Sequence, residues 1–356
     1  MTADPHAARL RGRISAELDE FLADRRDRLV GLGPAFGVLL ENLERYVRGG
    51  KLLRPVFCYW GWRAAGGAAD EPAVLRAGGS LELLHASALV HDDVMDASDR
   101  RRGAPSAHRA FASMHRGRNW RGSDERFGTA AAILLGDLCL AWSEDMLRAC
   151  GLPPDAVARA QDVFEVMRTE VIAGQYLDLA AQATPTNSLA ASFEVVELKS
   201  ARYTVQRPLQ LGAALAGASP DLGDALAAYG APVGAAFQLR DDLLGVFGDP
   251  TTTGKPVGDD LREGKRTVLL ACGYERAGQA GVATLDRLVG DPALDEAGVA
   301  EIRQVLRDCG ADRHVEALID ERVQAGLRSL RSMPSPDPAV LDALTQLATA
   351  VAVRVV

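Results

Sequence analysis

The segment LVHDDVMDASDRRRG, residues 89–103, places carboxylates and guanidinium groups at spacings that suit metal and phosphate chemistry. If the segment is helical, Asp92 and Asp96 lie one turn apart on the same face. Two such carboxylates repel each other unless a cation lies between them. Oxygen ligands favour Mg²⁺, which completes its shell with water and phosphate oxygens. Taken alone, the motif also fits a solvated helix end with Asp96 and Asp99 in an exposed turn.

A second acidic group occurs in FQLRDDLLGVFGD. Asp241 and Asp242 follow a largely apolar run, and Gln238 lies three and four residues earlier on the same helical face. A third acid is missing from the five-residue pattern because Gly245 stands in its place, and Asp249 is a candidate substitute one turn further along. The repetition suggests two equivalent walls of one cavity.

Basic residues accompany both acidic groups. They are Lys51 and Arg54 in GGKLLRP, Arg100, Arg101 and Arg102 after the first group, Lys199 in ELKSARYT, and Lys255, Lys265 and Arg266 in TGKPVGDDLREGKRT. Any one of them is usually a solvated surface charge, but the set suits a metal-bound, strongly anionic ligand such as a diphosphate. Neither a P-loop nor a GxGxxG motif after a strand is present, so a nucleotide is not the expected diphosphate.

Composition limits the class of protein. The chain has 356 residues, 47% of them hydrophobic, which is enough to bury a sizeable core, and its net charge of −8 disfavours a nucleic-acid binder. The five cysteines form no CxxC pair, so reduced cytosolic thiols are expected rather than a disulfide framework or zinc site. The N-terminus lacks a secretory h-region, and the longest apolar stretch is interrupted by Asp137. We therefore expect a cytoplasmic protein without a membrane span.

Helical spacing of apolar residues dominates the chain and predicts an all-α protein of roughly ten or more helices. The clearest examples are residues 80–96 and 156–181. Polar segments at 115–128, 183–188 and 248–267 are predicted loops. No Pro- or Ser-rich linker divides the sequence, so we expect residues 1–356 to form a single domain.

The motifs together resemble those of the polyprenyl synthetase family, the trans-isoprenyl diphosphate synthases, and most of all the bacterial geranylgeranyl diphosphate synthases. The resemblance extends over roughly residues 40–350 and rests on GGKLLRP, LLHASALVHDDVMDASDRRRGAPSAH, GQYLDL, LKSA, FQLRDD and TGKPVGDDLREGKRT. It implies an all-α isoprenoid-synthase helical bundle around a deep central cavity, usually as a homodimer. It also implies Mg²⁺-dependent head-to-tail condensation of isopentenyl diphosphate with dimethylallyl, geranyl or farnesyl diphosphate.

The resemblance assigns a role to each matching residue. Two Mg²⁺ ions would be held by Asp92 and Asp96 and a third by Asp241, with support from Asp93, Asp242 and Asp178. Isopentenyl diphosphate would be bound by Lys51, Arg54, His85 and Arg102. The allylic diphosphate or its metal shell would be contacted by Arg101, Lys199, Ser200, Gln238, Lys255 and Lys265. His85 could instead be an ordinary core histidine, but it precedes Asp92 by two helical turns on the same face, which favours the site.

Product length is expected to depend on the helix that precedes Asp92. Ser87 and Ala88 are small, whereas an aromatic residue here stops growth at fifteen carbons in this family. Ala88, Leu84 and Leu81 would lie about 6, 12 and 16 Å below Asp92, so the leucines are possible floors of the tunnel. We therefore expect a product longer than farnesyl diphosphate, namely the twenty-carbon geranylgeranyl diphosphate.

Two features depart from the family pattern, and two other functions stay open. Gly245 replaces the third acid of the second motif, which would weaken the water shell of the third metal, and residues 115–128 look like an insertion without an assigned role. A class I terpene cyclase would share the fold and first acidic motif but would not need the cations Lys51, Arg54 and Arg102. A non-catalytic subunit of a heteromeric synthase would be expected to lose acids or arginines, and only Gly245 points that way.

Overall fold

The computed structural model describes residues 5–33, 36–184, 187–248, 258–334 and 337–353. This part of the chain is built from helices and one minimal hairpin. The α-helices are α1 Pro5–Val30, α2 Gly37–Val47, α3 Leu53–Ala64, α4 Pro72–Met95, α5 Ala107–Gly117, α6 Asp124–Arg148, α7 Pro154–Ala183, α8 Leu189–Val195, α9 Arg207–Leu215, α10 Pro220–Phe247, α11 Asp259–Arg262, α12 Val268–Arg276, α13 Gln279–Leu288, α14 Glu296–Asp308, α15 Ala311–Arg331 and α16 Pro338–Val353. A π-helix, Val196–Gln206, follows α8, and strands β1 Arg100–Arg101 and β2 Ala104–Pro105 follow α4. The predicted all-α class is confirmed.

Several helices begin with a side-chain cap. Ser123, Ser188, Ser219 and Thr267 each accept a hydrogen bond from the backbone N–H three residues later, at the starts of α6, α8, α10 and α12. Such caps satisfy backbone donors that have no partner within the helix. The helices predicted from apolar spacing at residues 80–96 and 156–181 are confirmed, since these residues lie in α4, with Asp96 as its C-cap, and in α7.

The chain divides into two compact units. Unit 1 comprises residues 1–161 and 211–217, and unit 2 comprises residues 162–210 and 218–356. In unit 1, α4 packs along α6 and also against α1, α2 and α3. Leu83 and Val90 of α4 lie in one apolar cluster with Leu43, Leu135 and Met146, and all five are buried. This core fixes the position of the helix that carries the first acidic group.

Unit 2 is organised around α10, which packs against α15, α16 and the π-helix. Leu239 and Leu243 of α10 belong to an apolar cluster that includes Leu269, Ile302 and Ile319. Fully burying such an aliphatic side chain contributes about 1.5–3 kcal/mol. The helix that carries the second acidic group is therefore held on its apolar side by several neighbours.

The predicted loops are shorter than expected where the structure describes them. Residues 115–117 complete α5 and α6 begins at Asp124, so the irregular part of segment 115–128 is confined to 118–123. His115, Trp120 and Phe127 pack their rings together and hold this connection against the helices. In the segment 248–267, the polar residues 259–262 form α11. A helix this short carries no apolar period, so its polar composition predicts a loop.

Among the described residues, no helix is both long enough and apolar enough to cross a bilayer.

We predict that Gly234→Ala lowers the free energy of unfolding by about 1–3 kcal/mol, because a methyl group there would overpack the contact of α10 with the π-helix. An added Cβ would lie 2.4 Å from the carbonyl oxygen of Ala201 and 2.6 Å from its Cα, both backbone atoms. Chemical denaturation measures the change. Gly223→Ala on the same helix is the matched control, since no atom lies within 4 Å of its added Cβ. Equal stabilities of the two variants would contradict the predicted close contact.

Candidate active site

The three acids at the end of α4 occupy different environments. Asp93 is fully buried, whereas Asp92 is partly accessible. Asp96 is the C-cap of α4, and its backbone N–H donates to the carbonyl oxygen of Asp92. Asp92 and Asp96 are therefore one turn apart, as predicted, but Asp96 lies at the very end of the helix. Asp93 points instead into the protein.

Asp93 is held by hydrogen bonds on both of its oxygens. Tyr46 Oη donates to Oδ2 at 2.6 Å, and Arg101 Nε donates to Oδ1 at 2.8 Å. The second arm of Arg101 also reaches Asp93, and its Nη2 lies 3.3 Å from Asp92 Oδ2. A buried carboxylate is stable only with such partners. Asp93 consequently orients Arg101 beside Asp92.

Tyr46 is a component of this cluster that the sequence motifs did not indicate. Its hydroxyl accepts a hydrogen bond from the backbone N–H of Ala107 at 2.8 Å while it donates to Asp93. Burial and the neighbouring Asp93 raise the pKa of Tyr46 well above its ordinary value, so the hydroxyl keeps the proton that it donates. The only signal in the sequence was an aromatic residue shortly before GGKLLRP, which does not distinguish this role from core packing.

Arg102 occupies a strained turn. Strands β1 and β2 pair Arg101 with Ala104, so Arg102 and Gly103 form a two-residue turn with φ of 51° and 77°. Hairpin turns of this length favour positive φ at both positions, which is unfavourable for an arginine by about 1–2 kcal/mol. The turn separates the side chains of Arg101 and Arg102. Arg102 Nη1 donates to the carbonyl oxygens of Tyr46 and Arg48, each at 3.0 Å.

The GGK segment, residues 49–51, follows Arg48 in the chain and leads into α3. Leu52 has a φ of 53°, again in the left-handed region, and it is the N-cap of α3. This turn leaves Lys51 exposed and buries Arg54, which is 9% exposed, in the first turn of α3. A cavity of about 270 Å³ lies beside the segment and is lined by arginines and Tyr46, namely Arg45, Tyr46, Arg48, Arg101 and Arg102, together with Gly49, Ala104 and Pro105.

His85 lies near Arg54, Arg101 and Arg102 in unit 1, and these residues together form its cationic region. Burial lowers the pKa of His85 well below its ordinary value, and the charges of Arg54, Arg102 and Arg101 lower it further. The imidazole is therefore neutral near pH 7. Arg54, Arg102 and His85, which the sequence assigned to one diphosphate, are thus close enough to interact electrostatically.

A residue that the sequence analysis missed, Glu82, lies in this region on α4, one turn before His85. Its side chain is 3% exposed, and its electrostatic neighbours include Arg54 and Arg102. Glu82 and His85 both lie in the segment LELLHAS. The sequence gave no reason to select Glu82, because a site predicted to bind an anion is not expected to contain an acid.

The residues assigned to product length lie on the buried side of α4. Leu81, Leu84 and Ser87 are at most 4% exposed, and Ala88 is partly buried. The helix that carries them is continuous from Pro72 to Met95, so their spacing below Asp92 is that of an α-helix.

In unit 2, the π-helix and α7 bring two predicted residues together. Lys199 Nζ donates to Asp178 Oδ2 at 2.6 Å. The contact is possible because Gly174 of α7 lies against the backbone of the π-helix, where an added Cβ would be 2.4 Å from the nitrogen of Lys199. Single turns of π-helix often occur at functional sites. Ser200 is the next residue of the same π-helix and is partly buried.

The second acidic group also forms a cluster. Gln238 Nε2 donates to Asp242 Oδ1 at 2.7 Å. Burial, together with the charges of Asp260 and Asp178, raises the pKa of Asp242 to about 7, although the amide of Gln238 and the charge of Lys265 oppose the shift. Lys265 Nζ lies 3.5 Å from Asp260 Oδ1 and 2.8 Å from Glu263 Oε2. Unit 2 therefore concentrates negative charge that a cation would relieve.

Asp260 occupies the space beside Gly245, the position of the missing acid. A Cβ added to Gly245 would lie 2.6 Å from Asp260 Oδ2. A carboxylate from α11 thus takes up the room that a side chain at position 245 would fill. The substitute suggested from sequence, Asp249, lies outside the described residues, as does Lys255.

The donors present fit Mg²⁺ that is bound together with a phosphate ligand. Asp92 and Asp96 supply hard oxygen ligands one helical turn apart, and Asp242 and Asp260 add acidic charge in unit 2. No group of three or more metal-ligating side chains is found among the described residues. A site with one or two carboxylates needs further oxygens from water and substrate, which is the usual manner of Mg²⁺ binding.

We predict that Gly245→Asp lowers the free energy of unfolding by about 1–3 kcal/mol without Mg²⁺, because two carboxylates would compete for one space. Removing the competing side chain, in Gly245→Asp/Asp260→Ala, should recover most of the loss. Urea denaturation of both variants and of Asp260→Ala measures this coupling. If Gly245→Asp is as stable as the wild type, the site has room for both acids and the explanation of Gly245 is wrong.

The chain is similar to several known proteins. The polyprenyl synthetase family model matches residues 37–307. A crystal structure of geranylgeranyl pyrophosphate synthase from Corynebacterium glutamicum, complexed with isoprenyl diphosphate and magnesium, has a TM-score of 0.92 and 41% identity and covers 99% of this chain and 100% of that chain. The geranylfarnesyl diphosphate synthase of Aeropyrum pernix is 30% identical over 339 residues, which are 94% of this chain and 97% of the relative. The (2E,6E)-farnesyl diphosphate synthase of Mycobacterium tuberculosis is 34% identical over 289 residues, 78% of this chain and 75% of the relative. The chain is therefore a member of the polyprenyl synthetase family.

Proposed function

We propose that this prenyl diphosphate synthase condenses isopentenyl diphosphate head to tail with an allylic diphosphate and releases geranylgeranyl diphosphate. The observation that carries the proposal is the cationic region of unit 1. Arg101 is bound to the acids of α4, whereas the hairpin turn directs Arg102 toward the GGK segment. Two neighbouring arginines thus serve two different anions. A terpene cyclase acts on a single diphosphate and would need only one of these arrangements.

The allylic diphosphate would be bound through Mg²⁺. Asp92 and Asp96 would hold two ions and Asp241 a third. The magnesium in the Corynebacterium glutamicum complex supports the choice of metal. When bound, Mg²⁺ would stabilise the negative charge that develops on the departing diphosphate. Asp93 would not be a direct ligand, since Tyr46 and Arg101 occupy both of its oxygens. Its part would be to hold Arg101 against the allylic diphosphate.

The second acidic group, on α10, would serve the third ion. Asp242 and Gln238 would orient the water shell of the third ion, and Asp260 would supply the acid that Gly245 lacks. Lys199, Ser200, Lys255 and Lys265 would contact the phosphate oxygens, with Asp178 directing Lys199 through their 2.6 Å hydrogen bond. Their order along the chain, the same as in the family, supports this assignment.

Isopentenyl diphosphate would be bound by Lys51, Arg54, His85 and Arg102. The low pKa of His85 means that it would act as a neutral hydrogen-bonding group rather than a fourth cation. The cations would hold the carbon–carbon double bond toward the allylic cation formed when the C–O bond breaks. Because water would capture that cation as an alcohol, its exclusion is essential. A proton is then lost, and the released diphosphate is the proposed acceptor.

The growing chain would extend along α4 away from Asp92. Ser87 and Ala88 leave room next to the first acidic group, and Leu84 or Leu81 would form the floor. The buried positions of Leu81, Leu84 and Ser87 are consistent with an apolar environment for the hydrocarbon. The relatives named above include synthases of farnesyl, geranylgeranyl and geranylfarnesyl diphosphate, so family membership leaves the product length open.

A homodimer is also part of the proposal. On α6 of unit 1, Ile133 and Leu134 are 43% and 63% exposed, and on α7 in unit 2, Ile172 and Tyr176 are 62% and 71% exposed. Large apolar side chains repeated along a helix surface favour a protein partner, and a second copy fits the family. We expect a dimer by sedimentation velocity at micromolar concentration, and an Ile172→Asp/Tyr176→Asp variant should shift toward monomer. A monomeric wild type would contradict the proposal.

A cytoplasmic location is proposed as well. The five cysteines are unpaired, which is consistent with a reducing compartment.

Product analysis tests the proposed function. Purified protein, isopentenyl diphosphate and each of the three allylic diphosphates should give a twenty-carbon alcohol after dephosphorylation, and EDTA should abolish turnover. Ser87→Phe should shorten the product, because the aromatic ring would close the tunnel one turn below Asp92, whereas Leu84→Ala should leave it unchanged or lengthen it. Chromatography with mass detection measures the lengths.

Other outcomes would separate the alternatives. A cyclic hydrocarbon formed without isopentenyl diphosphate would indicate a cyclase. No turnover by the folded chain would indicate a subunit that needs a partner. Turnover to fifteen or thirty carbons would keep the condensation but contradict the placement of the floor.

A further inference from the structure

Glu82 is a buried carboxyl group in a region that is otherwise cationic. Its side chain is 3% exposed, and its Oε1 atom is buried without a hydrogen-bond partner among the described residues. A carboxylate in this situation is destabilising, because it loses its hydration without full compensation. A group retained at such a cost usually serves something other than stability.

Two guanidinium groups compensate part of this cost. Burial raises the pKa of the Glu82 carboxyl, whereas the charges of Arg54 and Arg102 lower it. The same two arginines depress the pKa of His85, one turn further along α4. Glu82 is therefore the acid that balances a pair of arginines whose own like charges repel each other.

The carboxylate of Glu82 lies beside Gly50, the middle residue of the GGK segment. A Cβ built on Gly50 would lie 3.2 Å from Glu82 Oε2 and 3.3 Å from Arg102 Nη2, so both groups lie close to one side of Gly50. Arg102 is fixed from the other side through the carbonyl oxygens of Tyr46 and Arg48. Arg54 extends from the first turn of α3, which directly follows this segment.

We propose that Glu82 is a positioning residue for isopentenyl diphosphate: its carboxylate holds the guanidinium groups of Arg54 and Arg102 at the GGK segment in the arrangement that receives a diphosphate. The inference rests on the proposed function. Without Glu82, the two arginines would repel each other and spread over more conformations. The conformational entropy lost when the two arginines become ordered would then weaken diphosphate binding.

A purely structural role makes the opposite prediction for stability. If Glu82 served only the packing of α4, its replacement would lower stability and affect both substrates together. If Glu82 serves the arginines, Glu82→Gln removes a poorly compensated charge at nearly constant volume. The variant should then be about as stable as the wild type, because Arg102 is exposed and its charge stays hydrated, and yet bind isopentenyl diphosphate less well.

The test compares Glu82→Gln with the wild type in binding, turnover and melting. We expect the Kd for isopentenyl diphosphate by calorimetry, and its KM, to rise about tenfold or more. The KM for farnesyl diphosphate and the kcat should change less than threefold, and the melting temperature should not fall. The control is Glu71→Ala, which removes the N-cap of the same helix, where Glu71 accepts from the N–H of Ala73. It should lower the melting temperature and leave both KM values unchanged.

Each other outcome would overturn the inference. An unchanged Kd for isopentenyl diphosphate in Glu82→Gln would mean that the carboxylate does not position the arginines. A lower Kd would mean that its charge merely opposes the diphosphate. A lower melting temperature with equal losses for both substrates would identify a structural residue. Wild-type turnover separates this failure from failure of the proposed function: if the wild type neither binds nor consumes isopentenyl diphosphate, both fall.

Discussion

Charged side chains removed from water need partners of opposite charge, and this constraint determines the arrangement of the candidate site. The cluster of Tyr46, Asp93 and Arg101 shows it most clearly. Asp93 is fully buried, and it is tolerated there because a hydroxyl and a guanidinium satisfy its two oxygens. The same bonds fix Arg101 next to Asp92. One buried acid therefore determines where the cation beside the first acidic group lies.

A strained backbone turn separates the side chain of Arg101 from that of Arg102. A regular helix or strand would not turn sharply between them, but the two-residue hairpin turn does, at the expense of a positive φ at Arg102. A second left-handed residue, Leu52, separates Lys51 from Arg54 in a similar manner. Strained residues persist where the surroundings over-determine them, and they concentrate at binding sites. In this chain, two such residues, Arg102 and Leu52, lie in the turns that separate neighbouring cations.

Small residues have the corresponding function in unit 2. Gly174 and Gly234 allow α7 and α10 to approach the backbone of the π-helix that carries Lys199. Gly245 leaves space that Asp260 occupies from another helix. The space beside the position that lacks an acid in the local motif thus holds a carboxylate from another helix. A contact of this kind depends on position rather than on spacing along the sequence.

The sequence by itself determined the all-α class, the helices that carry both acidic groups and the family, because helical periodicity and motif spacing are local properties. The spacing of Asp92 and Asp96 and the proximity of Gln238 to Asp242 follow from helix geometry alone. The tertiary structure decided what depends on contacts between distant segments. Examples are the binding of Asp93 by Tyr46, the pairing of Lys199 with Asp178, the approach of Asp260 to Gly245 and the position of Glu82 near Arg54 and Arg102. No periodicity encodes these contacts, since each joins residues whose distance is set by the packing of whole helices.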